Sequence, residues 1–308
     1  MCMNYGKFLE SIKEKAEYIA GEEGRVTVNH IIKNNGRELD GLVIMERNSN
    51  ISPTIYLNAY YEEYKNGRSI ADIVIEIADI YSANKGKLNF DPDFFNDFDN
   101  VKEKIVYKVV NFDKNRRLLE EIPHKRFLDL AVVYYCMLER FADSNATVLI
   151  NNAHLKIWNV SENDIYNAAV KNTPDLLKSC ISPMSSIINN LKNEFDSDFE
   201  EDEELCGFHT ESNEAGEMYV LTNSIKINGA ACIFYKNVLK NFAEKIDSDL
   251  YILPSSIHEV ILLPKLDMFK RDDLVNMVRE VNHEGVSQEE VLSDNVYIYN
   301  RREGVISL

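Results

Sequence analysis

Two segments of alternating apolar and polar residues, joined by a short turn, constrain the fold of this chain most. Val26 to Ile32 alternates with the period of a half-buried strand, and Leu39 to Glu46 reads as the returning strand after Asn34-Asn35-Gly36. Asparagine and glycine tolerate the positive φ that a tight reversal needs, so these residues predict an antiparallel hairpin.

The remaining helix and strand patterns follow one another irregularly. Ser69 and Asp72 form a capping box before a stripe of apolar residues at helical spacing, which predicts a helix with one buried face. Further helices are predicted over 4–20, 60–64, 113–121, 152–158, 161–171, from Thr173-Pro174 onward, over 238–246 and 271–281, and from the Ser287 and Glu290 capping box. Strands are predicted over 54–57, 104–112, 127–138, 146–150, 218–222, 227–234, 250–253, 258–263, 296–299 and 305–308. Because strands come as local pairs, the predicted class is α+β, with mixed or antiparallel sheets, flanking helices and room for two lobes.

An acidic stretch interrupts this pattern, with eight Asp or Glu residues among the eleven from Glu194 to Glu204. A calcium-binding EF-hand loop needs glycine at its sixth position and glutamate at its twelfth. Counted from Asp196, these positions hold Glu201 and Gly207, so the pattern fails. A solvated, mobile loop is the better interpretation. It suggests an N-terminal α+β lobe over 1–195, an acidic loop or linker over 196–215, and a C-terminal α+β lobe over 216–308.

The chain carries 51 acidic and 34 basic residues, which gives a formal net charge of −17. A chain this acidic repels phosphate backbones unless its basic residues are segregated, so nucleic acid is a disfavoured partner. The dense basic cluster between Lys114 and Arg126 has no glycine-rich or aromatic stacking pattern. A protein or a small ligand is the partner compatible with this charge.

Other patterns bound the class of protein further. No apolar run approaches the roughly 20 residues of a membrane helix, and residues 1–15 lack the pattern of a secretory signal. The five cysteines form no Cys-x-x-Cys pair, which fits reduced thiols in a cytoplasmic protein. No zinc, Walker or Rossmann pattern occurs, so neither a metal nor a cofactor is predicted.

The segment Leu253-Pro254-Ser255-Ser256-Ile257-His258-Glu259-Val260 holds the densest set of groups that can carry chemistry. In a catalytic interpretation Ser255 or Ser256 is the nucleophile, His258 is the base and Glu259 orients it. Consecutive strand residues point to opposite faces, so His258 and Glu259 converge on one serine only across a bulge. A structural interpretation is favoured, in which the Pro-Ser-Ser segment is a capping turn that His258 secures by a hydrogen bond.

Two further polar groups are candidate ligand-binding residues. Asn223 ends a predicted strand, and Gly229 would let a ligand or a backbone come close. Asn58 lies with Tyr61 in a tyrosine-rich stretch that could line a groove. The simpler interpretations are favoured: Asn223 and Gly229 satisfy a turn, and the tyrosines belong to the core with their hydroxyls at the surface.

Three segments also carry a resemblance. They are 39–58, with Leu-Asp-Gly-Leu and Ile-Ser-Pro-Thr-Ile-Tyr-Leu-Asn; 219–231, with Tyr-Val-Leu-Thr-Asn and Asn-Gly-Ala-Ala; and 251–260, with the motif LPSSIHEV. These segments resemble an uncharacterised bacterial domain family of unknown function over nearly the whole chain, and the acidic stretch departs from it. The resemblance implies a cytoplasmic protein of gut-type anaerobes, sometimes associated with mobile elements, and it brings no established activity and no catalytic residue.

Three functions remain open. A binding or interaction protein without chemistry is favoured, because no recognised catalytic motif accompanies the isolated histidines. The alternative is a hydrolase or nuclease that uses His258 with Ser255 or Ser256 and an acid from elsewhere in the fold. A regulatory or defence protein that mimics an acidic polymer would need its carboxylates clustered on one face.

Overall fold

The computed structural model describes residues 3–46, 52–84, 92–141, 144–189 and 216–308. The acidic stretch 194–204 and the predicted linker 196–215 lie outside these residues. The chain divides into two compact units, Met1–Asn96 and Asp97–Leu308. None of the described helices is long and apolar enough to cross a membrane.

Helices and antiparallel strands both contribute to the described residues, which confirms the predicted α+β class. The strands are β1 Gly24–Ile32, β2 Glu38–Glu46, β3 Thr54–Tyr56, β4 Ile105–Asn111, β5 His124–Phe127, β6 Leu130–Phe141, β7 Ser144–Leu149, β8 Ser179–Pro183, β9 Tyr219–Asn223, β10 Leu250–Leu253, β11 Val260–Pro264, β12 Tyr297–Asn300 and β13 Val305–Ser307. The helices are α1 Tyr5–Ala20, α2 Leu57–Lys65, α3 Ile70–Asn84, α4 Pro92–Asn96, α5 Phe98–Val101, α6 Arg116–Leu119, α7 Asn152–Trp158, α8 Glu162–Leu176, the described part of α9 (184–189), α10 Val238–Lys245 and α11 Arg271–Glu284.

The N-terminal unit is a three-stranded sheet, in the order β1-β2-β3, with helices packed on it. The predicted hairpin is confirmed, since β1 and β2 pair over their whole length and Asn35 and Gly36 adopt positive φ of 58° and 71° at the turn. Phe8 and Ile12 of α1 and Ile73 of α3 are buried against the sheet. The periodicity of apolar residues therefore located both the strands and the buried helix faces here.

The C-terminal unit contains two sheets. One has the order β4-β6-β5, with β7 paired to β6, and the other has the order β13-β12-β10-β11-β9-β8. β8 precedes the acidic stretch and β9 follows it, and the two strands pair directly in the second sheet. The predicted lobes 1–195 and 216–308 stay a prediction, since the linker lies outside the described residues.

Two predicted elements are wrong, one because Thr173-Pro174 was interpreted as the start of a new helix and the other because a buried apolar run was interpreted as a strand. The helix predicted to stop at Lys171 continues to Leu176 and includes Pro174, whose missing N–H leaves one backbone hydrogen bond of the last turn unmade. The hydroxyl of Thr173 donates to the carbonyl of Ala169, so the threonine belongs to the helix rather than capping a new one. Residues 227–234, predicted as a strand, instead contain the 3-10 helix Gly229–Phe234, whose buried residues produce the same apolar run.

Two boundaries near the LPSSIHEV motif also differ from the prediction. β11 begins at Val260, so His258 and Glu259 lie in the loop before it rather than in a strand. The Ser287 and Glu290 pair closes a turn instead of starting a helix, because the Ser287 carbonyl accepts from the N–H of Glu290 at 2.8 Å. The chain then extends to pair Val291 with Ser256.

One carboxylate joins the two sheets of the C-terminal unit. Asp129, in the turn between β5 and β6, accepts hydrogen bonds from Ser293 Oγ at 2.6 Å, Asn295 Nδ2 at 3.0 Å and Tyr297 Oη at 2.7 Å. Burial, followed by the negative charge of Asp129, raises the pKa of Tyr297 far above its usual range, which keeps the phenol a donor. Asp129 therefore holds the segment that leads into β12.

We expect Asp129→Asn to lower the free energy of unfolding of the C-terminal unit by about 3 kcal/mol, because buried donors lose their charged acceptor. Trp158, the single tryptophan of the chain, is 7% exposed in this unit, so its fluorescence during urea unfolding measures the change. Asp113→Asn is the matched control, since Asp113 pairs with Arg116 at the surface and its loss should change stability by less than about 1 kcal/mol. Equal losses in both variants would show that Asp129 does not join the sheets.

Candidate functional site

The LPSSIHEV segment is held by backbone hydrogen bonds to a distant part of the chain. Leu292 N donates to Ser255 O at 3.0 Å, Ser293 N donates to Pro254 O at 3.0 Å, and Ile257 N donates to Glu290 O at 2.9 Å. The loop between β10 and β11 is therefore bound to residues 290–293 along most of its length. Its conformation depends on this pairing and not only on a local turn.

The hydroxyl of Ser256 is used within the loop. It is buried, accepts from the N–H of His258 at 3.0 Å and lowers the pKa of the neighbouring Glu259 carboxyl. Ser255 contributes its backbone carbonyl to the pairing with Leu292. The hydroxyl of Ser256 thus bonds to the backbone of His258 and not to its imidazole. A serine nucleophile would need the bond to the imidazole.

The imidazole of His258 is 29% exposed and has a neighbour at each ring nitrogen. Nδ1 accepts from the N–H of Asn228 at 3.3 Å, which in the neutral ring leaves the proton on Nε2. Nε2 lies 3.5 Å from Oε1 of Glu290. The carboxylate that pairs with the ring therefore comes from Glu290, whereas the catalytic interpretation assigned this role to Glu259.

Gly229 lies where only a glycine fits. A Cβ at this position would lie 2.5 Å from the carbonyl oxygen of His258 and 2.7 Å from the N of Asn223, and would also meet the hydroxyl of Thr222. That hydroxyl donates to the carbonyl of His258 at 2.8 Å. The close approach predicted for Gly229 is thus made by the protein's own backbone, which fixes the His258 loop against the end of β9.

Asn223 is fully used by its own turn. Its Oδ1 accepts from the N–H groups of Ile225 at 3.1 Å and Ile227 at 3.4 Å, and its Nδ2 donates to the carbonyl of Ile227 at 2.8 Å. Because the side chain is buried and has these partners, its amide is a structural element. These contacts are the ones that the turn interpretation expects, and a role of Asn223 in ligand binding stays a prediction.

Asn58 and Tyr61 belong to the N-terminal unit, and both make structural contacts. Asn58 Oδ1 accepts from the N–H of Asp40 at 2.8 Å, and the hydroxyl of Tyr61 donates to the carbonyl of Met3 at 3.1 Å. Asp40 also accepts from the hydroxyl of Tyr5 at 2.8 Å and lies 3.1 Å from Nδ1 of His30. This polar group on the first hairpin was not predicted as a site.

The structure thus brings together Ser256, His258, Glu259, Asn223 and Gly229 in one loop cluster of the C-terminal unit. Sequence reasoning missed Asn228 and Glu290, which contact the ring. In the sequence, Glu290 stood out only through its spacing from Ser287, and that spacing was interpreted as a capping box. No local pattern pairs residue 290 with residue 258.

Two open cavities of the C-terminal unit are lined by other residues. One, of about 590 Å³, lies at the ends of β10, β11 and β12 and is lined by charged groups that include Asp249, Lys265, Arg301 and Arg302. The other, of about 430 Å³, borders β13 and is lined mainly by apolar groups that include Phe127, Phe234, Val305 and Ile306. Among the described residues, no group of three His, Cys, Asp or Glu side chains is arranged to hold a metal ion.

The architecture defines an α+β protein whose conspicuous histidine is secured within a loop. The chain belongs to the family of unknown function DUF5688, whose family model matches residues 5–301, and this confirms the predicted resemblance to an uncharacterised family. Neither a search of curated proteins nor a search of solved structures found a match.

We expect Gly229→Ala to destabilise the C-terminal unit by about 3 kcal/mol, because the new methyl group must displace the His258 loop or β9. Gly285→Ala is the control, since its Cβ would lie 3.3 Å from the carbonyl of Val281 at the end of α11 and should change stability by less than about 1 kcal/mol. Urea unfolding followed by Trp158 fluorescence measures both. A tolerated Gly229→Ala would mean that the loop is free to move away.

Glu259 should make stability depend on pH. Burial raises its pKa, against the opposing effects of His258 and of the Ser256 hydrogen bond. The pKa of Glu259 in the folded protein lies above the unfolded value of about 4.3. The stability that protonated Glu259 allows is therefore fully present below that pH, and it is lost as the carboxyl ionises with rising pH through the folded pKa. We therefore expect Glu259→Gln to be more stable than the parent at pH 7, with the difference shrinking towards pH 4.

Unfolding of the parent and the variant at a series of pH values between 4 and 7.5 tests this. Ser256→Ala removes a hydrogen bond that lowers the pKa of Glu259, so it should steepen the pH dependence. A stability difference between Glu259→Gln and the parent that is constant across this range would contradict the assignment.

Proposed function

We propose that this protein is a non-catalytic binding protein of the cytoplasm. The observation that carries the proposal is the use of the candidate catalytic groups inside the fold. Both ring nitrogens of His258 have neighbours, Asn228 N–H and Glu290, and the hydroxyl of Ser256 bonds the backbone of His258. A hydrolase needs its base within hydrogen-bonding reach of the nucleophile, and the hydroxyl of Ser256 bonds instead to the backbone N–H of His258.

Two cavities support binding as the activity. Their volumes, about 590 Å³ and 430 Å³, lie in the range typical of ligand sites, roughly 300–1,000 Å³. The first is lined by charged groups and the second mainly by apolar groups, and neither needs a reactive side chain to bind a ligand. The net charge of −17 supports a protein or small-ligand partner over a nucleic acid.

The cysteines support a reducing compartment. The three cysteines within the described residues, Cys136, Cys180 and Cys232, form no disulfide with one another, as in proteins of a reducing compartment. Burial raises the pKa of Cys136 and of Cys232 to about 12, so these two thiols are protonated at neutral pH and are poor nucleophiles. Their chemistry is compatible with a packing role.

The test compares turnover with binding. The purified protein is incubated with p-nitrophenyl acetate, casein and single-stranded DNA, and we expect rates equal to those of buffer for the parent and for His258→Ala. His283→Ala, which changes an exposed histidine of α11, is the matched control. A thermal-shift screen of peptides and metabolites then identifies ligands that raise Tm and are recovered intact. Turnover that His258→Ala abolishes and His283→Ala retains would replace this proposal with the hydrolase or nuclease alternative.

A further inference from the structure

The larger of the two cavities, here called the charged cavity, lies where three neighbouring strands of the second sheet have their ends. β10 begins at Leu250, β11 ends at Pro264 and β12 ends at Asn300, and β10 lies between the other two strands. The residues that line the charged cavity directly flank these ends. Three short loops therefore meet at one end of the sheet, and they surround about 590 Å³.

Hydrogen bonds within the fold fix the backbone of these loops. Oδ1 of Asp249 accepts from the N–H of Arg301 at 3.0 Å, and the carbonyl of Asp249 accepts from the N–H of Lys265 at 2.8 Å. Oδ1 of Asn300 accepts from the N–H of Arg302 at 3.0 Å. The three residues that bring positive charge to the cavity are thus held at their main chain, as in ligand sites that are formed before the ligand binds.

The basic side chains of the charged cavity differ in what they contact. The guanidinium of Arg301 pairs with Asp247, whose side chain is 88% exposed, so this pair contributes little and can be exchanged. Lys265 and Arg302 are exposed, and neither forms an ion pair with a carboxylate of the described residues. Two cations at the cavity can therefore bind an anionic group without giving up an ion pair of the described fold.

Three aspartates also line the charged cavity, and Arg301 engages two of them. Asp249 accepts from its N–H, and the guanidinium pairs with Asp247 and holds the pKa of that carboxyl below its usual range. The third, Asp267, is exposed. Two cations and one carboxylate are thus left for a ligand among the described residues, which is a local excess of positive charge in a chain of net charge −17.

We propose that the charged cavity binds a small organic anion through phosphate or carboxylate groups. Lys265 and Arg302 donate to the anionic oxygens, because hydrogen bonds between charged groups are stronger than neutral ones. The guanidinium of Arg301 becomes a third donor when the ligand displaces Asp247. A nucleic acid is disfavoured as the source of the phosphate, because a long polyanion also meets the negative charge around the cavity, whereas a small anion meets the cavity alone.

This inference rests on the proposed binding function and names the ligand class and the site. The probes are pyrophosphate and citrate, each titrated into the full chain at low ionic strength and measured by isothermal titration calorimetry. We expect saturable binding of at least one probe to one site per chain. The probe that binds more tightly identifies phosphate or carboxylate as the group that the cavity recognises.

Asp247→Asn should tighten binding of that probe by about fivefold, because it releases the Arg301 guanidinium and removes a negative charge from the rim. Asp113→Asn is the matched control, since it makes the same charge change and breaks a similar surface pair with Arg116 outside the cavity. Its Kd should stay within about twofold of the parent value. A gain of affinity cannot be produced by a folding defect, so this comparison reports on the cavity itself.

The double variant Lys265→Ala with Arg302→Ala should weaken binding about tenfold or more, since it removes both charged donors. Lys236→Ala with Arg279→Ala removes the same charge at exposed positions outside the cavity and should stay within about twofold. The inference is overturned if neither probe binds the parent, if the two double variants weaken binding equally, or if Asp247→Asn and Asp113→Asn give the same Kd. Each of these outcomes leaves the absence of turnover and the apolar cavity intact, so failure of the charged cavity is distinguishable from failure of the binding function.

Discussion

The carboxylate of Asp129 is the interaction on which the arrangement of the C-terminal unit depends. It accepts three hydrogen bonds from residues 293–297 and so connects the turn between β5 and β6 to the segment before β12. In the same segment, the carbonyl of Leu292 accepts a hydrogen bond from Asn111 Nδ2, and the carbonyl of Ser293 accepts one from Asn282 Nδ2. Because a charged acceptor is stronger than a neutral one and is costly to bury alone, the three donors and Asp129 stabilise one another.

This constraint extends to the His258 loop. Residues 290–293, positioned by these side chains, pair with residues 254–257, and Glu290 reaches the imidazole. On the other side, the carbonyl of His258 packs against Gly229 and accepts from Thr222. The loop is therefore held from two directions, so a reactive geometry at His258 would require one set of these contacts to break.

Prediction from the sequence succeeded where the physical cause is local. The first hairpin follows from alternation and from the positive φ of Asn35, and α3 follows from its Ser69 cap and apolar stripe. The contact between Asp129 and Ser293 joins residues 164 positions apart, and no periodicity marks either one. The same holds for Glu290 beside His258. The structural interpretations of Asn223 and Ser256 were favoured because Asn and Ser often bond nearby backbone, whereas the cavities, lined by residues such as Phe127 and Phe234, gave no local signal.

The distribution of polar groups also bears on where a partner can bind. At the His258 loop, hydroxyl, amide and imidazole groups are engaged with the protein itself, so a ligand there would have to compete with contacts that stabilise the fold. Binding at this loop would therefore replace interactions of the folded unit rather than add to them.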